Sequence, residues 1–364
     1  MKIISKIGGI LAVGLAAGLL TGCGGAASDN MEKKLQKMER LCLEERYEEA
    51  VAFADDYWFS HPCPISDLVN GQNTLYEGLS EDEIIFRLRL ASYTKTALIG
   101  SGSLVSRFFS YYRIPEIYNG MEDGAIGEYS LAGMLRQRAL DNPTAVYCTG
   151  INIIEKDGVQ GEVVSLMVPA MMACGQWTLA ERYIYVLAGI KGWKKEALKY
   201  SEVVAFLQAS SVSDEVSDDV RALAEKITAY GQKGLTDYMN DTWSLEENCR
   251  ARWQQNPSSF SVLNCIIIFD MLRKNLEHAA SLLPAYGQMP RPLQEMICIM
   301  QREMFPIADS VQNFLNNNPV DESVERNFRR FLHDFSLWQQ GQKTAEELTA
   351  EYGHTYPYRY YLIY

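Results

Sequence analysis

Eight cysteines and four histidines are the residues of this chain that could hold a metal ion or supply a nucleophile and its base. Zinc sites use cysteines or histidines at short fixed spacings, and a metallopeptidase helix carries H-E-x-x-H. No C-x-x-C pair occurs, and His61, His278, His333 and His354 form neither H-x-H nor H-E-x-x-H. The sequence therefore predicts no catalytic, cofactor or metal site, and we expect the protein not to be an enzyme.

Two further segments have compositions that could bind a phosphate or a cation. Gly100–Ser103 is rich in glycine and serine but lacks the lysine of a phosphate loop, and Ser211–Asp219 is acidic but lacks EF-hand spacing. We predict a loop between helices at the first segment. At the second, Ser217 followed by two acids predicts the N-cap of a helix.

Cys23 alone has neighbours that point to a defined modification. Lys2 and Lys6 precede an apolar stretch, Ile7–Leu20, that is too short for an ordinary transmembrane helix and has the layout of a signal peptide. It ends in Leu20-Thr21-Gly22-Cys23, which resembles the lipobox of bacterial lipoproteins. The resemblance implies cleavage before Cys23 and a lipid on its thiol. An ordinary secretory signal with an incidental cysteine is the alternative.

The residues after Cys23 indicate where in the cell the protein is anchored. Residues 23–30 are small and polar, which predicts a flexible tether. In Gram-negative lipoproteins an aspartate directly after the lipidated cysteine retains the protein in the inner membrane, and here that place is Gly24. The resemblance therefore implies a cell-envelope protein anchored by lipid in the outer membrane. Both the periplasmic face and the outer surface stay open.

Composition and charge exclude several classes. With 364 residues and 47% hydrophobic content, the chain can bury one or two sizeable cores. Its net charge is −12, and removal of a leader with two lysines and no acid makes it −14. Such a chain is unsuited to nonspecific binding of nucleic acid phosphates.

The hydrophobic pattern is that of helices, because apolar residues recur at three and four positions rather than alternating. Three segments share a helix, a tight turn, a large residue and an alanine three positions later. They are Met31–Glu44 with Tyr47 and Ala50, Val163–Cys174 with Trp177 and Ala180, and Phe260–Leu272 with Leu276 and Ala279. The pattern resembles a tetratricopeptide unit, although any amphipathic helical hairpin can produce it. It predicts an all-α fold of tetratricopeptide-like hairpins stacked as an α-solenoid.

The second half extends the resemblance. Asn256–Phe260 opens an apolar helix, Met289–Glu295 is proline-rich, and Glu351–Tyr361 ends the chain with glycine, threonine and tyrosines. This is similar to a family of uncharacterised bacterial exported lipoproteins with a tetratricopeptide-like C-terminal region, over residues 31–364 and most clearly after Tyr129. The family has no assigned activity. The tyrosines of the tail alternate every second residue, and we predict that they pack on the last helices, with sugar or peptide contact as the alternative.

The expected organisation is a lipoprotein signal peptide at 1–22, a tether at 23–30, a helical repeat region at 31–242, and a tetratricopeptide-like region with a tyrosine-rich tail at 243–364. Seven cysteines remain beyond Cys23. We predict that most are core thiols, because five lie within apolar helical patterns: Cys42, Cys148, Cys174, Cys265 and Cys298.

Two functions agree with these features. The first is a lipid-anchored, non-enzymatic helical repeat scaffold of the bacterial envelope that binds a protein or a peptide. The alternative is an envelope lipoprotein that captures glycans or peptides, with or without hydrolytic activity. The alternative needs a pocket lined by aromatic rings and two facing carboxylates.

Overall fold

The computed structural model describes residues 27–60, 79–111, 130–209, 217–230, 245–255, 257, 259–303 and 307–362. All regular secondary structure in these ranges is helical, which confirms the predicted all-α class and its helical hairpins. The signal peptide at 1–22, Cys23, His61 and Cys63 lie outside the described residues.

Ten α-helices precede residue 230 in the described ranges. They are α1 (Ala27–Leu43), α2 (Tyr47–Ser60), α3 (Glu81–Gly100), α4 (Leu104–Arg107), α5 (Leu131–Ala139), α6 (Pro143–Asp157), α7 (Gly161–Ala173), α8 (Trp177–Gly189), α9 (Lys194–Gln208) and α10 (Asp218–Ala229). A 3₁₀ turn, Phe108–Tyr111, follows α4. Since α1 begins at Ala27, residues 27–30 of the tether expected at 23–30 are helical.

Eight more α-helices follow residue 244 in the described ranges. They are α11 (Leu245–Gln255), α12 (Phe260–Leu272), α13 (Leu276–Ser281), α14 (Arg291–Glu303), α15 (Asp309–Asn317), α16 (Glu322–Gln339), α17 (Ala345–Tyr352) and α18 (Tyr356–Leu362). A second 3₁₀ turn, Leu283–Ala285, follows α13. The boundaries of α12 are those predicted from the sequence.

Four hairpins close through the same turn, which also ends α16 at Gly341, where φ is 71°. The second residue after each first helix has a positive φ: 56° at Glu45, 58° at Asp141, 70° at Gly175 and 56° at Lys274. In the second hairpin, the Asp141 amide donates to the Arg138 carbonyl at 2.8 Å and the Asn142 amide to the Gln137 carbonyl at 3.0 Å. The other three repeat this pair of bonds, which is the Schellman arrangement that satisfies carbonyls at a helix end.

The fifth residue after each positive-φ residue of these four hairpins is buried. Ala50, Ala180 and Ala279, the three alanines of the predicted pattern, are completely buried. Val146 occupies the same place in the α5–α6 hairpin and is also completely buried. The predicted spacing therefore marks a buried position in each hairpin, and the structure adds a fourth example.

Cations from other helices hold these turns together. Arg138 of α5 donates to the Cys42 and Leu43 carbonyls at the end of α1, at 2.7 and 3.0 Å. Arg252 of α11 donates to the Asp141 carbonyl, and Lys226 of α10 pairs with Glu45. Positive groups at helix C-termini are favourable because the unpaired carbonyls carry partial negative charge.

The apolar centre of the C-terminal half is α12. Every residue from Val262 to Leu272 is buried, and the helix packs against α3, α4, α11 and α13. From α5 to α10 each helix packs on the next one in the chain. In the described ranges, no helix combines the length and apolar character needed to cross a membrane.

The tyrosine-rich tail is a helix, although its residues alternate every second position. Tyr356 and Tyr358 are each 1% exposed, and α18 packs on α14, α16 and α17. The predicted packing of the tail on the last helices is confirmed. Alternation misleads here because both sides of this short helix are covered.

The crossing at Ala180 provides a test of the hairpin packing. Ala180→Leu should lower the free energy of unfolding by about 1–3 kcal/mol, because a larger side chain overpacks a closed interface. Glu181→Leu, its exposed neighbour, should change it by less than about 0.5 kcal/mol. Urea unfolding followed by circular dichroism measures both variants. Coincident curves for the two would contradict the crossing.

Candidate functional site

A cleft between α14, α16 and the last two helices is the candidate site. Its volume is about 250 Å³. Helix α14 contributes Arg291 and Glu295, α16 contributes Asn327, Phe328, Arg330 and Phe331, and the end of the chain contributes Glu351, Tyr352, His354, Thr355 and Pro357.

The aromatic floor follows from the amphipathic pattern of α16. Val324, Phe328 and Phe331 recur at intervals of four and three, so that they share the buried face of the helix. Asn327 and Arg330 precede the two phenylalanines and are exposed at the rim. Helix α16 therefore supplies both the apolar floor and the polar rim of the cleft.

Glu295 joins α14 to the tail. Its Oε1 accepts from Arg291 Nε at 2.9 Å, and its Oε2 accepts from the Tyr356 amide at 2.9 Å. The residue is only 4% exposed. Burial raises the pKa of the Glu295 carboxyl, and the bonds from Tyr356 and Arg291 oppose that rise without cancelling it.

Tyr356 extends this connection to the rest of the core. Its hydroxyl donates to the Met271 carbonyl at the end of α12, at 2.8 Å. Its ring contacts Phe109, which follows α4, with centroids 5.1 Å apart. The tail segment that forms one wall of the cleft is thus anchored to three separate parts of the fold.

A polar network fixes the opposite wall. Lys343 Nζ contacts Asp334 at 2.7 Å and Glu351 at 3.1 Å, and the Tyr352 hydroxyl donates to Asp334 at 2.6 Å. Arg330 pairs with Glu351. Burial opposes ionisation of Asp334, but the bonds from Lys343 and Tyr352 outweigh it and hold its pKa below the usual value.

These features define what the cleft can do. Pockets for whole small molecules span about 300–1,000 Å³, so a cleft of 250 Å³ suits one side chain or one sugar unit of a larger ligand. Its two acids, Glu295 and Glu351, each accept hydrogen bonds from an arginine. Because both carboxylates are already bonded to cations, they are better suited to orienting a ligand than to transferring a proton.

The three histidines within the described ranges do not share an environment. His278 Nδ1 lies 2.6 Å from Oδ2 of Asp270, a fully buried carboxylate whose Oδ1 accepts from Arg250 at 2.6 Å. His333 is exposed on α16, and His354 is exposed at the rim of the cleft. Sequence reasoning missed the Asp270–His278 contact because the two residues fall on different helices.

The cysteines agree with the prediction of core thiols except at one position. Cys42, Cys265 and Cys298 are buried, as is Cys249, and Cys148 is half-buried. Cys174 is exposed, because α7 ends at Ala173 and leaves it in the turn. For Cys174 the prediction was wrong.

Gly100–Ser103 takes the structure predicted for it, and so does Ser217 in the acidic segment, whose residues 211–216 lie outside the described residues. Gly100–Ser103 ends α3 and connects it to α4, and Gly102 has a φ of 69°. The Ser217 hydroxyl accepts from the Val220 amide and caps α10. Within the described ranges, no three acidic, cysteine or histidine side chains come together in a group that could hold a metal ion.

Fold and site define an all-α protein of helical hairpins with a small cleft near its C-terminus. Residues 147–364 match a family described as a family of unknown function (DUF6057), and the chain belongs to that family. The match includes every residue of the cleft and confirms the expectation of an uncharacterised family. Comparisons with curated proteins and with solved structures found no match.

The bond between Glu295 and Tyr356 predicts a graded loss of stability. Glu295→Ala should lower the free energy of unfolding by about 1–3 kcal/mol, because the buried Tyr356 amide loses its acceptor. Glu295→Gln keeps an oxygen for that amide and should lose less. Urea unfolding measures both variants, and equal losses would contradict a role for the acceptor oxygen.

The raised pKa of Glu295 makes the stability of the fold depend on pH. In the folded state the carboxyl holds its proton to a higher pH than in the unfolded state, so stability falls as pH rises through that interval. Glu295→Gln should remove this part of the slope, which lies above the ordinary pKa of a glutamate, whereas Glu225→Gln, an exposed change on α10, should keep it. Parallel slopes for wild type and Glu295→Gln would contradict the assignment.

Proposed function

We propose that this protein is a lipid-anchored, non-enzymatic helical repeat protein of the bacterial envelope that binds a peptide segment of another protein. The cleft under the tyrosine-rich tail is the observation that carries the proposal. Its floor of Phe328, Phe331 and Tyr352 suits one apolar side chain of a ligand. Asn327 and Arg330 at the rim suit the amide and carbonyl groups of a peptide backbone.

The repeated hairpin turn supports the tetratricopeptide-like part of the proposal. Stacked hairpins present large surfaces without needing a catalytic group, and many such folds serve as binding scaffolds. The anchor is proposed from the sequence around Cys23, which lies outside the described residues. A protein that is anchored in the envelope by a lipid can bind a partner through a recognition surface alone.

The peptide proposal is tested at Arg330. A random peptide display library is selected on the purified protein, and the Kd of the recovered peptide is measured by isothermal titration calorimetry. Arg330→Ala should raise that Kd at least about tenfold, since a lost charge-assisted hydrogen bond costs roughly 1.5–3 kcal/mol. Arg329→Ala should leave it unchanged, because Arg329 is exposed, pairs with Glu325 and does not line the cleft. Equal effects of the two changes, or a library without binders, would contradict the proposal.

A glycan ligand is the second candidate, and the charge pairing of the cleft favours it. Arg291 pairs with Glu295 and Arg330 with Glu351, so that much of the charge is neutralised locally. Paired donors and acceptors around aromatic rings suit the hydroxyl groups and ring faces of an uncharged sugar. Binding on an array of bacterial cell-surface oligosaccharides that Arg330→Ala abolishes, with no peptide recovered, would select this candidate.

The anchor is tested at Cys23. Mass spectrometry of protein extracted from membranes should find a lipid on Cys23 at the mature N-terminus, because the preceding residues fit the lipobox pattern. Cys23→Ala should leave the precursor uncleaved and unlipidated. An unmodified Cys23 within the full precursor would contradict the proposal.

A further inference from the structure

Two buried cysteines, Cys249 and Cys265, lie on the packed helices α11 and α12. The helices are consecutive, a connection at residues 256–259 joins them, and they pack along one another, as antiparallel neighbours do. Cys249 lies six residues before the end of α11, and Cys265 lies five residues after the start of α12. At 1.5 Å per residue, both stand roughly 8–9 Å from the connection. They are therefore level with each other.

Both side chains are buried, with Cys249 2% exposed and Cys265 fully buried. Both are free thiols, and Cys249 lies close enough to raise the pKa of the Cys265 thiol. The other described cysteines belong to other helices or turns. Cys42 donates to the Tyr93 carbonyl, and Cys174 contacts the Thr144 hydroxyl.

We propose that Cys249 and Cys265 form a disulfide bond that ties α11 to α12. Each thiol gives up its proton, the S–S bond takes the place of the two S–H bonds, and an oxidising disulfide such as oxidised glutathione accepts two electrons and becomes two thiols. The reaction passes through a mixed disulfide on one cysteine, which the thiolate of the other cysteine then displaces.

A disulfide bond would strengthen the attachment of α11 to α12. Helix α11 is rich in polar residues, and it is held to α12 by Arg250 on Asp270 and by Arg273 on Glu246, at 2.6 and 2.5 Å. These ion pairs set the register of the two helices. A covalent bond adds the constraint that a polar helix cannot obtain from apolar packing alone.

The environment of the thiols determines when the bond forms. The hydrogen bond with Cys249 and burial both raise the pKa of the Cys265 thiol, and nearby Arg136 opposes them only in part. Thiolate, the reactive form, is therefore scarce once the core has closed. The bond forms while the hairpin assembles, before the two sulfurs are buried.

Refolding under defined redox conditions tests the proposal. The full chain, purified in mild detergent, is unfolded in guanidinium chloride with dithiothreitol and refolded in reduced and oxidised glutathione. Free thiols are blocked with N-ethylmaleimide, and the helical monomer is digested without reduction for mass spectrometry. We expect one linked peptide pair that joins Cys249 to Cys265. Blocked thiols at both positions, or links from either one to other cysteines, would overturn the proposal.

Variants and a stability comparison separate this pair from chance oxidation. Cys249→Ser and Cys265→Ser should each leave the remaining partner blocked by N-ethylmaleimide, whereas Cys298→Ser should retain the link. Reduction should lower the urea midpoint of the wild-type chain and leave that of Cys249→Ser unchanged. The same midpoint for oxidised and reduced wild type would contradict a bond that ties the two helices.

Discussion

The buried carboxylate of Glu295 and the amide of Tyr356 form the contact on which the C-terminal structure depends. A carboxylate with so little access to water is stable only when its oxygens accept good hydrogen bonds. Here one oxygen accepts from Arg291 and the other from the first residue of the terminal helix. The bond fixes the tail at one end, and the ring and hydroxyl of Tyr356 carry that constraint to Phe109 and to the end of α12. The cleft exists because this segment cannot move away from α14.

The hairpins depend on a different constraint, because the backbone carbonyls at the end of each helix need hydrogen-bond donors. The five Schellman turns of the described residues use carbonyls that would otherwise lack partners, and three of them place a residue other than glycine at positive φ. That conformation carries an energetic cost, which the surrounding hydrogen bonds and the buried crossing offset. Arg138 and Arg252 then donate from neighbouring helices to carbonyls at two of these turns. The same local arrangement thus recurs in sequences that have little else in common.

The sequence predicted the features that depend on near neighbours. The run around Cys265–Phe269 predicted an apolar helix, which the structure contains, and Ala180, predicted at a helix crossing after Trp177, is completely buried. The cleft could not be predicted, because Glu295 and Tyr356 are separated by 61 positions and no local pattern pairs them. The spacing of Arg291 and Glu295 was visible as an i,i+4 pair, but such pairs usually lie on a solvated surface. Cys174 was predicted to be a core thiol because it follows an apolar helical run. The sequence does not show that the helix ends one residue earlier, at Ala173, and leaves Cys174 in the turn.

Hydrogen exchange of the Tyr356 amide tests the central claim most directly. An amide bonded to a buried carboxylate exchanges with solvent only when its segment opens. The structure therefore predicts that Tyr356 exchanges as slowly as the amides of α12 in the folded protein, and much faster in Glu295→Ala. Exchange of Tyr356 in the wild-type protein at the rate of an unstructured chain end would show that the tail is not anchored, and the cleft would lose its wall.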